Sequence, residues 1–284
     1  MRLMNFLQDG QSRLGARIGQ EVVDLTAAGL PDCTDRLLTM GAAGLAQAQQ
    51  AIVAAKVKQP LAGITWLPPV LRPSKAIAVG LNYVDHAAES PYKDPPKHPV
   101  LFQRYPTSWV AHQQPLVCPR NSTAFDYEAE LVVVIGRAGR HIARDKALEH
   151  VMGYSVFNDG SIRDFQLRTT QWMMGKNFDR SGGFGPELVT ADELPPGANG
   201  LRIQARLNGN VVQDANTRNM IFDVATLVAT CSEAMEMQPG DIIISGTPSG
   251  VGMARNPPLY MKAGDVCEIE VEKIGVLTNH IVAE

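Results

Sequence analysis

The sequence has 284 residues, of which 45% are hydrophobic and 19% charged, and its formal net charge is −3. A chain of this length and composition can bury a sizeable core, which excludes disorder, collagen and a coiled coil as descriptions of the whole chain. The slightly acidic balance offers no overall attraction to nucleic acid or to an anionic membrane, and the apolar runs are too short to span a bilayer. We therefore expect neither nucleic acid nor a membrane as a partner.

Residues 1–70 predict a small N-terminal α+β domain. Met1–Gln8 and Ala16–Leu25 are predicted strands, and an Ala/Gln-rich stretch over 35–58 is predicted to be helical. A proline-rich run over 68–73 favours an extended connector, because proline disfavours helix in the residue before it.

Residues 71–284 predict a second, strand-rich domain. Predicted strands cover 76–81, 131–135, 201–207, 241–245 and 266–271, and predicted helices cover 145–152 and 223–237. Asn208-Gly209 predicts a tight hairpin, Asp223 is a good helix N-cap and Pro239-Gly240 is expected to stop that helix. Many short strands and few helices favour a strand-rich α+β fold over a doubly wound sheet. The proline-rich segment Ser90–Pro99 is interpreted as a mobile lid.

Four cysteines lie far apart, at Cys33, Cys118, Cys231 and Cys267, and no two form a CxxC pair. This spacing is typical of reduced thiols and favours neither a zinc site nor a disulfide framework. The first apolar stretch is interrupted by polar residues, unlike a secretory signal. We therefore expect a cytoplasmic protein.

Two glutamates precede an apolar run that predicts a strand buried on both faces. Glu128 and Glu130 share a face of this strand, where two neighbouring carboxylates repel each other unless a cation compensates them. Asp159, in an Asn-Asp-Gly-Ser segment, offers a third carboxylate. Three such ligands would leave positions on an octahedral Mg²⁺ open for substrate and water. The alternatives are a solvated strand end and a simple turn, both of which are common.

His86 and Glu89 are three residues apart, so that one helical turn would place them side by side. A carboxylate next to a histidine orients the ring and raises its basicity, as a general base requires. The alternative is a solvated surface pair.

Arg163 and Gln166 have the same spacing on a predicted helical turn. Lys176 follows a glycine but lacks the surroundings of a phosphate-binding loop. It is either a solvated lysine or a cation beside the metal. The glycine-rich loop within 239–252 has amides that could approach an anion closely, and it lacks a dinucleotide-binding pattern.

Six segments, taken in order, resemble the fumarylacetoacetate hydrolase family. They are GLNYVDHAAE at 80–89, DYEAELVVVIG at 126–136, GYSVFNDGSIRDFQ at 153–166, GKNFD at 175–179, LNGNVVQDANTRNMIF at 207–222 and PGDIIISGTPSGVG at 239–252. The resemblance covers residues 72–284 and implies a mixed β-sandwich roll that usually forms homodimers.

The resemblance also implies roles for individual residues. It assigns Glu128, Glu130 and Asp159 to a Mg²⁺ or Mn²⁺ ion, with Ca²⁺ also used in the family, His86, Glu89 and Lys176 to catalysis, and Arg163, Gln166 and Thr247 to a small anionic 2-oxo acid substrate. A further acidic ligand of the long family members has no counterpart here, so the chain resembles the shorter members. Arg104 stands where many members have lysine, so we expect carboxylate recognition to differ.

The leading functional hypothesis is hydrolysis of a C–C bond in an acylpyruvate, with water activated by His86 and Glu89. Oxaloacetate decarboxylation and isomerisation of a hydroxymuconate-type acid are alternatives on the same metal site. A non-catalytic binding protein with the same fold is the alternative from a different class.

Overall fold

A computed structural model describes residues 1–89 and 96–284. Strands β1 to β19 span, in chain order, Arg2–Gln8, Gln11–Ile18, Glu21–Asp24, Gln59–Pro60, Thr65–Leu67, Ala76–Gly80, Val100–Gln103, Trp109–Ala111, Leu116–Cys118, Phe125–Asp126, Ala129–Ile135, Val151–Asn158, Ser161–Ile162, Gly182–Thr190, Arg202–Leu207, Asn210–Asn216, Ile242–Ile244, Val266–Val271 and Gly275–Ala283. Helices α1 to α6 span Thr34–Thr39, Gly41–Ala54, Val84–Glu89, Arg163–Gln166, Met173–Lys176 and Val224–Ala234. The predicted strand-rich α+β class is confirmed.

The described strands form a large mixed sheet and a smaller one. The large sheet has twelve strands, ten of them in the order β4-β3-β2-β1-β14-β12-β11-β17-β6-β7, with β5 on β1 and β8 on β14. The smaller sheet has the order β16-β15-β18-β19-β9, and β10 pairs with β13. Because β1 pairs with β14, the N-terminal strands extend the sheet that carries the candidate site. The domain boundary at residue 70 stays a prediction.

Strand β11 is buried on both faces, as its unbroken apolar run predicted. Leu131 and Val133 pack into the core that includes the smaller sheet, whereas Val132 and Val134 pack with the N-terminal strands. Glu128 and Glu130, at the start of this strand, are only 4% and 2% exposed. A solvated strand end is therefore excluded.

Two predictions for the N-terminal residues are wrong in detail. The predicted strand Ala16–Leu25 is split between β2 and β3, because the chain reverses at Gly19, whose φ is +62°. The predicted helix over 35–58 forms α1 and α2, which meet at Gly41 with φ +58°, and it ends at Ala54. In both cases a glycine takes a backbone conformation that other residues avoid.

Three local predictions in the rest of the chain have mixed outcomes. The Asn208-Gly209 hairpin is confirmed, and Asp223 caps α6 by accepting a hydrogen bond from the backbone N–H of Thr226. Helix α6 ends at Ala234, earlier than predicted. The predicted helix over 145–152 is a 3₁₀ helix over Arg144–His150, after which β12 begins.

Most of the predicted lid, Ser90–Pro99, lies outside the described residues, because the structure does not describe 90–95. In the described parts, no helix is long and apolar enough to cross a membrane.

Candidate active site

A small cavity of about 50 Å³ lies where β6, β11, α4 and α5 come together. Eight of the nine predicted site residues line it: His86, Glu128, Glu130, Asp159, Arg163, Gln166, Lys176 and Thr247. The ninth, Glu89, lies behind His86 and contacts its ring. The fold therefore brings together side chains from five separate motifs.

Strand pairing assembles the three acidic residues. Strand β11 pairs antiparallel with β12, and the backbone N–H of Asp159 donates to the carbonyl oxygen of Glu128 at 2.9 Å. Glu128, Glu130 and Asp159 each offer a carboxylate oxygen, and these oxygens lie within 4.8 Å of one another. All three residues are buried. Three converging carboxylates are the donor set that Mg²⁺ and Mn²⁺ prefer.

The electrostatics of the acidic cluster also fit a cation. Burial raises the pKa of Glu130, and the neighbouring charges of Asp159 and Glu128 raise it further. Burial acts in the same direction on Glu128, but Lys176 and Arg163 outweigh it and hold the pKa of Glu128 at about 2. Glu130 is therefore the carboxylate with the least positive compensation, and a divalent cation would relieve its repulsion from the other two.

Buried cations surround the acidic cluster. Lys176 Nζ lies 2.6 Å from both Glu128 and Asp159, and Arg163 contacts Glu128 at 2.8 Å. The buried charges are those of Asp126, Glu128, Glu130 and Asp159 on one side and of Arg104, Arg163 and Lys176 on the other. With all groups ionised one negative charge is left over, and a divalent cation would make the site positive. Such a site attracts an anionic substrate.

Arg104 supports the cluster from outside the cavity. Its Nη1 donates to Asp159 Oδ1 at 2.6 Å and to the carbonyl oxygen of Gly160 at 3.0 Å. Its Nε and Nη2 donate to Ser108, and its side chain is fully buried. In this structure Arg104 therefore binds the carboxylate of Asp159. Its expected effect on recognition of a substrate carboxylate stays a prediction.

Asp126 was not predicted as a site residue. Its Oδ2 accepts a hydrogen bond from Arg163 Nε at 2.8 Å, and it is fully buried. The spacing of Asp126, Glu128 and Glu130, each two residues apart, is the sequence signal that could have indicated it.

The predicted pair of His86 and Glu89 forms on α3. His86 Nδ1 lies 3.0 Å from Glu89 Oε1, and the two side chains are 11% and 21% exposed, which excludes a solvated surface pair. Both carboxylate oxygens of Glu89 accept from the backbone N–H of Gly250 at 3.0 Å. The hydrogen bond to Glu89 assigns a proton to Nδ1 and leaves Nε2 free to act as a base.

The glycine-rich loop donates its amides to carboxylates of the site. The pairs are Gly246 with Glu130 at 2.6 Å, Gly250 with Glu89 at 3.0 Å and Gly252 with Asp126 at 2.7 Å. Gly246 and Gly250 both have φ +101°, a conformation that side chains disfavour. The predicted close approach to an anion is thus present, and the anions are the protein's own side chains.

Arg163 and Gln166 lie on α4, as predicted. Arg163 Nη1 donates to Gln166 Oε1 at 2.9 Å, whereas its Nη2 is buried and has no hydrogen-bond partner among the described residues. Thr247 Oγ1 accepts from Gln213 at 2.9 Å, which leaves the hydroxyl proton available to a ligand. These donors offer polar contacts to an anion in the cavity.

The sequence is similar to known proteins over nearly its whole length. A family model described as fumarylacetoacetate (FAA) hydrolase C-terminal matches residues 75–282. Oxaloacetate tautomerase Fahd2a, mitochondrial, of Rattus norvegicus is 39% identical over 289 residues, which cover 99% of this chain and 92% of that protein.

Two solved structures extend the similarity to the whole fold. Fumarylacetoacetate hydrolase from psychrophilic Exiguobacterium antarcticum has a TM-score of 0.86 at 35% identity, and all of both chains is covered. Maleylpyruvate hydrolase from Sphingobium sp. SYK-6, in complex with manganese(II) ion and pyruvate, has a TM-score of 0.83 at 29% identity. That match covers 100% of this chain and 99% of the other.

Proposed function

The chain belongs to the fumarylacetoacetate hydrolase family, and on this basis we propose that it is a metal-dependent enzyme that interconverts the keto and enol forms of oxaloacetate or a similar 2-oxo dicarboxylate. The observation that carries the proposal is the small cavity in which an oriented histidine and three carboxylates are brought together. The name of the rat relative, similar over nearly the whole chain, supports the choice of substrate.

Keto–enol interconversion moves a proton between a carbon atom and the neighbouring keto oxygen. It requires a base at the carbon and positive groups where negative charge develops on oxygen. Glu128, Glu130 and Asp159 would hold the metal ion. When bound, Mg²⁺ or Mn²⁺ supplies Lewis-acid polarisation of substrate oxygens.

The protein's own residues supply the proton transfer and the binding. His86 removes the proton from carbon through Nε2, and the imidazolium that forms then gives this proton to the enolate oxygen, which yields the enol and restores the neutral base. Glu89 accepts the hydrogen bond from Nδ1–H and stabilises the imidazolium. Lys176 adds positive charge beside the metal ligands. The unpartnered Nη2 of Arg163 binds the substrate carboxylate, and the hydroxyl of Thr247 donates to a substrate oxygen.

Hydrolysis of an acylpyruvate is the second candidate. The same pair of His86 and Glu89 can deprotonate a water molecule, and the Sphingobium structure with manganese(II) and pyruvate belongs to an enzyme named as a hydrolase. Oxaloacetate decarboxylation and diene-acid isomerisation use the same metal ligands. Product analysis therefore decides among these reactions.

The test compares oxaloacetate and acetylpyruvate on one Mn²⁺-loaded preparation. Tautomerisation predicts faster loss of the enol absorbance of oxaloacetate without pyruvate formation. Decarboxylation predicts pyruvate from oxaloacetate, and hydrolysis predicts pyruvate together with acetate from acetylpyruvate.

Two variants serve as controls for that test. Glu130→Gln removes a predicted ligand and should abolish the activity, whereas Glu149→Gln changes an exposed glutamate that pairs with Lys146 and should not. If the wild type accelerates enol loss no more than Glu130→Gln does, the tautomerase proposal is wrong.

We also propose Mg²⁺ or Mn²⁺ as the native metal, a homodimer as the assembly and a reducing compartment such as the cytoplasm. The Mn²⁺ in the Sphingobium structure supports the first, and the four free cysteines support the last. The rat relative is named as mitochondrial. Metal analysis, sedimentation and fractionation of the source cells test the three points.

A further inference from the structure

One side of the cavity is apolar, and two aromatic residues dominate it. Phe102 and Trp172 line the cavity together with Leu167 and Gly80. The two aromatic rings meet edge to face, with their centroids 5.6 Å apart and an interplanar angle of 70°. This arrangement holds each ring in place against the other.

Trp172 rests on a position that has no side chain. A Cβ atom added to Gly80 would lie 2.1 Å from Cζ3 of Trp172 and 2.7 Å from its Cη2. Side-chain Cβ atoms essentially never approach other atoms so closely, so the indole occupies the space that any larger residue at position 80 would fill. Gly80 ends β6, which places the indole at the edge of the large sheet.

This apolar wall adjoins the acidic cluster. The ring of Phe102 lies 5.3 Å from Lys176 Nζ, which itself lies 2.6 Å from Glu128 and Asp159. A ligand whose oxygens bind at the cluster therefore shares the cavity with Phe102 and Trp172.

We propose that Trp172, seated on Gly80 and packed on Phe102, limits the length of the 2-oxo acid that the site accepts. Acids longer than oxaloacetate by one or two methylene groups meet the indole. The inference rests on the proposed function and names the substrate class of the same cavity as short 2-oxo dicarboxylates. It makes Trp172 a specificity-determining residue.

Calorimetric binding to the Mn²⁺-loaded protein tests the inference without relying on turnover. Oxalate probes the acidic cluster alone, and 2-oxoadipate probes the length limit. Trp172→Ala should lower the Kd of 2-oxoadipate by about tenfold or more, the scale on which a pocket discriminates single methylene groups. The Kd of oxalate should stay within about threefold of that of the wild type, well below that scale. Met174→Ala, an exposed change on helix α5, which begins directly after Trp172, should alter neither value.

Substitution of Gly80 provides a second route, and its first measurement, with Trp172 present, does not depend on the folding of Trp172→Ala. Gly80→Ala should shift the ratio of the two Kd values when Trp172 is present, because the added methyl group displaces the indole. In the Trp172→Ala background the same change should have little effect, since the clash is gone.

The outcomes separate the two ideas. An unchanged ratio of the two Kd values in Trp172→Ala, with intact oxalate binding, would overturn the length limit alone. Equal effects of Gly80→Ala in both backgrounds would also overturn it. Absence of oxalate binding in the wild type would overturn the proposed function and the length limit with it.

Discussion

Replacement of Lys176 by methionine should destabilise the metal-free protein and strengthen metal binding. Lys176 is 2% exposed, and its ammonium group lies 2.6 Å from a carboxylate oxygen of Glu128 and from one of Asp159. Those two carboxylates are also predicted metal ligands. The ammonium therefore neutralises the charge that a divalent cation would neutralise.

The size of the effect follows from burial. At an effective dielectric constant of about 20, each contact has a Coulomb energy of roughly 6 kcal/mol, most of which offsets the cost of desolvating the charges. Removal of one partner of a buried ion pair costs about 3–5 kcal/mol, because the other partner stays buried without compensation. We expect a loss of this order in the free energy of unfolding of metal-free Lys176→Met. Added metal at 100 times its Kd should return about 2.7 kcal/mol.

The assay is denaturant unfolding with chelator and with Mg²⁺ or Mn²⁺, together with calorimetric measurement of metal affinity. Lys75→Met is the matched control, because Lys75 contacts the buried carboxylate of Asp241 at 2.9 Å, away from the cavity. It should lose stability in chelator, and at a given metal concentration it should gain only as much stability from metal as the wild type does. Lys176→Met should also lose turnover, since the cation beside the substrate is gone.

The reasoning is refuted if Lys176→Met binds Mn²⁺ more weakly than the wild type does. It is also refuted if, at the same metal concentration, metal adds no more stability to Lys176→Met than to Lys75→Met.

Three further outcomes are expected. Arg104→Lys should weaken metal binding by about 10–100-fold, the usual cost of losing a residue that holds a metal ligand in place. Lysine lacks the planar set of donors with which arginine binds Asp159 and its neighbours. An unchanged Kd of the metal in a titration would contradict this expectation. Glu89→Gln should lower kcat by about tenfold or more and leave the metal Kd unchanged, because the ring of His86 loses its charged partner. Equal kcat values for this variant and the wild type would argue against the pair. His112, whose pKa is lowered to about 4 mainly by burial, accepts from the backbone N–H of Thr278 at 3.0 Å. The unfolded chain takes up this proton below pH of about 6.5, so the free energy of unfolding should fall by up to about 3 kcal/mol between pH 6.5 and 4. His112→Asn keeps a hydrogen-bond acceptor and should remove most of this pH dependence of the free energy of unfolding, measured by denaturant titration. Parallel plots of this free energy against pH for the variant and the wild type would contradict the expectation.

Local sequence patterns indicated two pairs of residues in the candidate site, and the resemblance to a family supplied the other assignments. Glu128 and Glu130 share a face because strands alternate, and His86 and Glu89 share a face because one helical turn separates them. Neither pattern says that the two pairs meet. Their proximity depends on long-range strand pairing, which only the resemblance to a family could supply.

The misses have physical causes. Strand β14 has glycines at 182, 183 and 185 and a proline at 186, which give little intrinsic preference for a strand, yet it lies between β1 and β12 in the large sheet. Tertiary pairing overrides local propensity there. The breaks at Gly19 and Gly41 depend on a backbone conformation that glycine permits without requiring it. The partner of Arg104 is 55 residues away and has no local signature.

The glycine-rich loop has a consequence for how this enzyme can change. Through the amides of Gly246, Gly250 and Gly252, one short peptide segment aligns a predicted metal ligand, the partner of the proposed base and the counterion of Arg163. Inserting a residue between Gly246 and Gly250 would move those groups relative to one another and disturb metal binding and proton transfer together. The wall formed by Phe102 and Trp172 lies on other parts of the chain. Laboratory evolution toward new 2-oxo acids should therefore accumulate substitutions at the wall and leave the length of the loop unchanged.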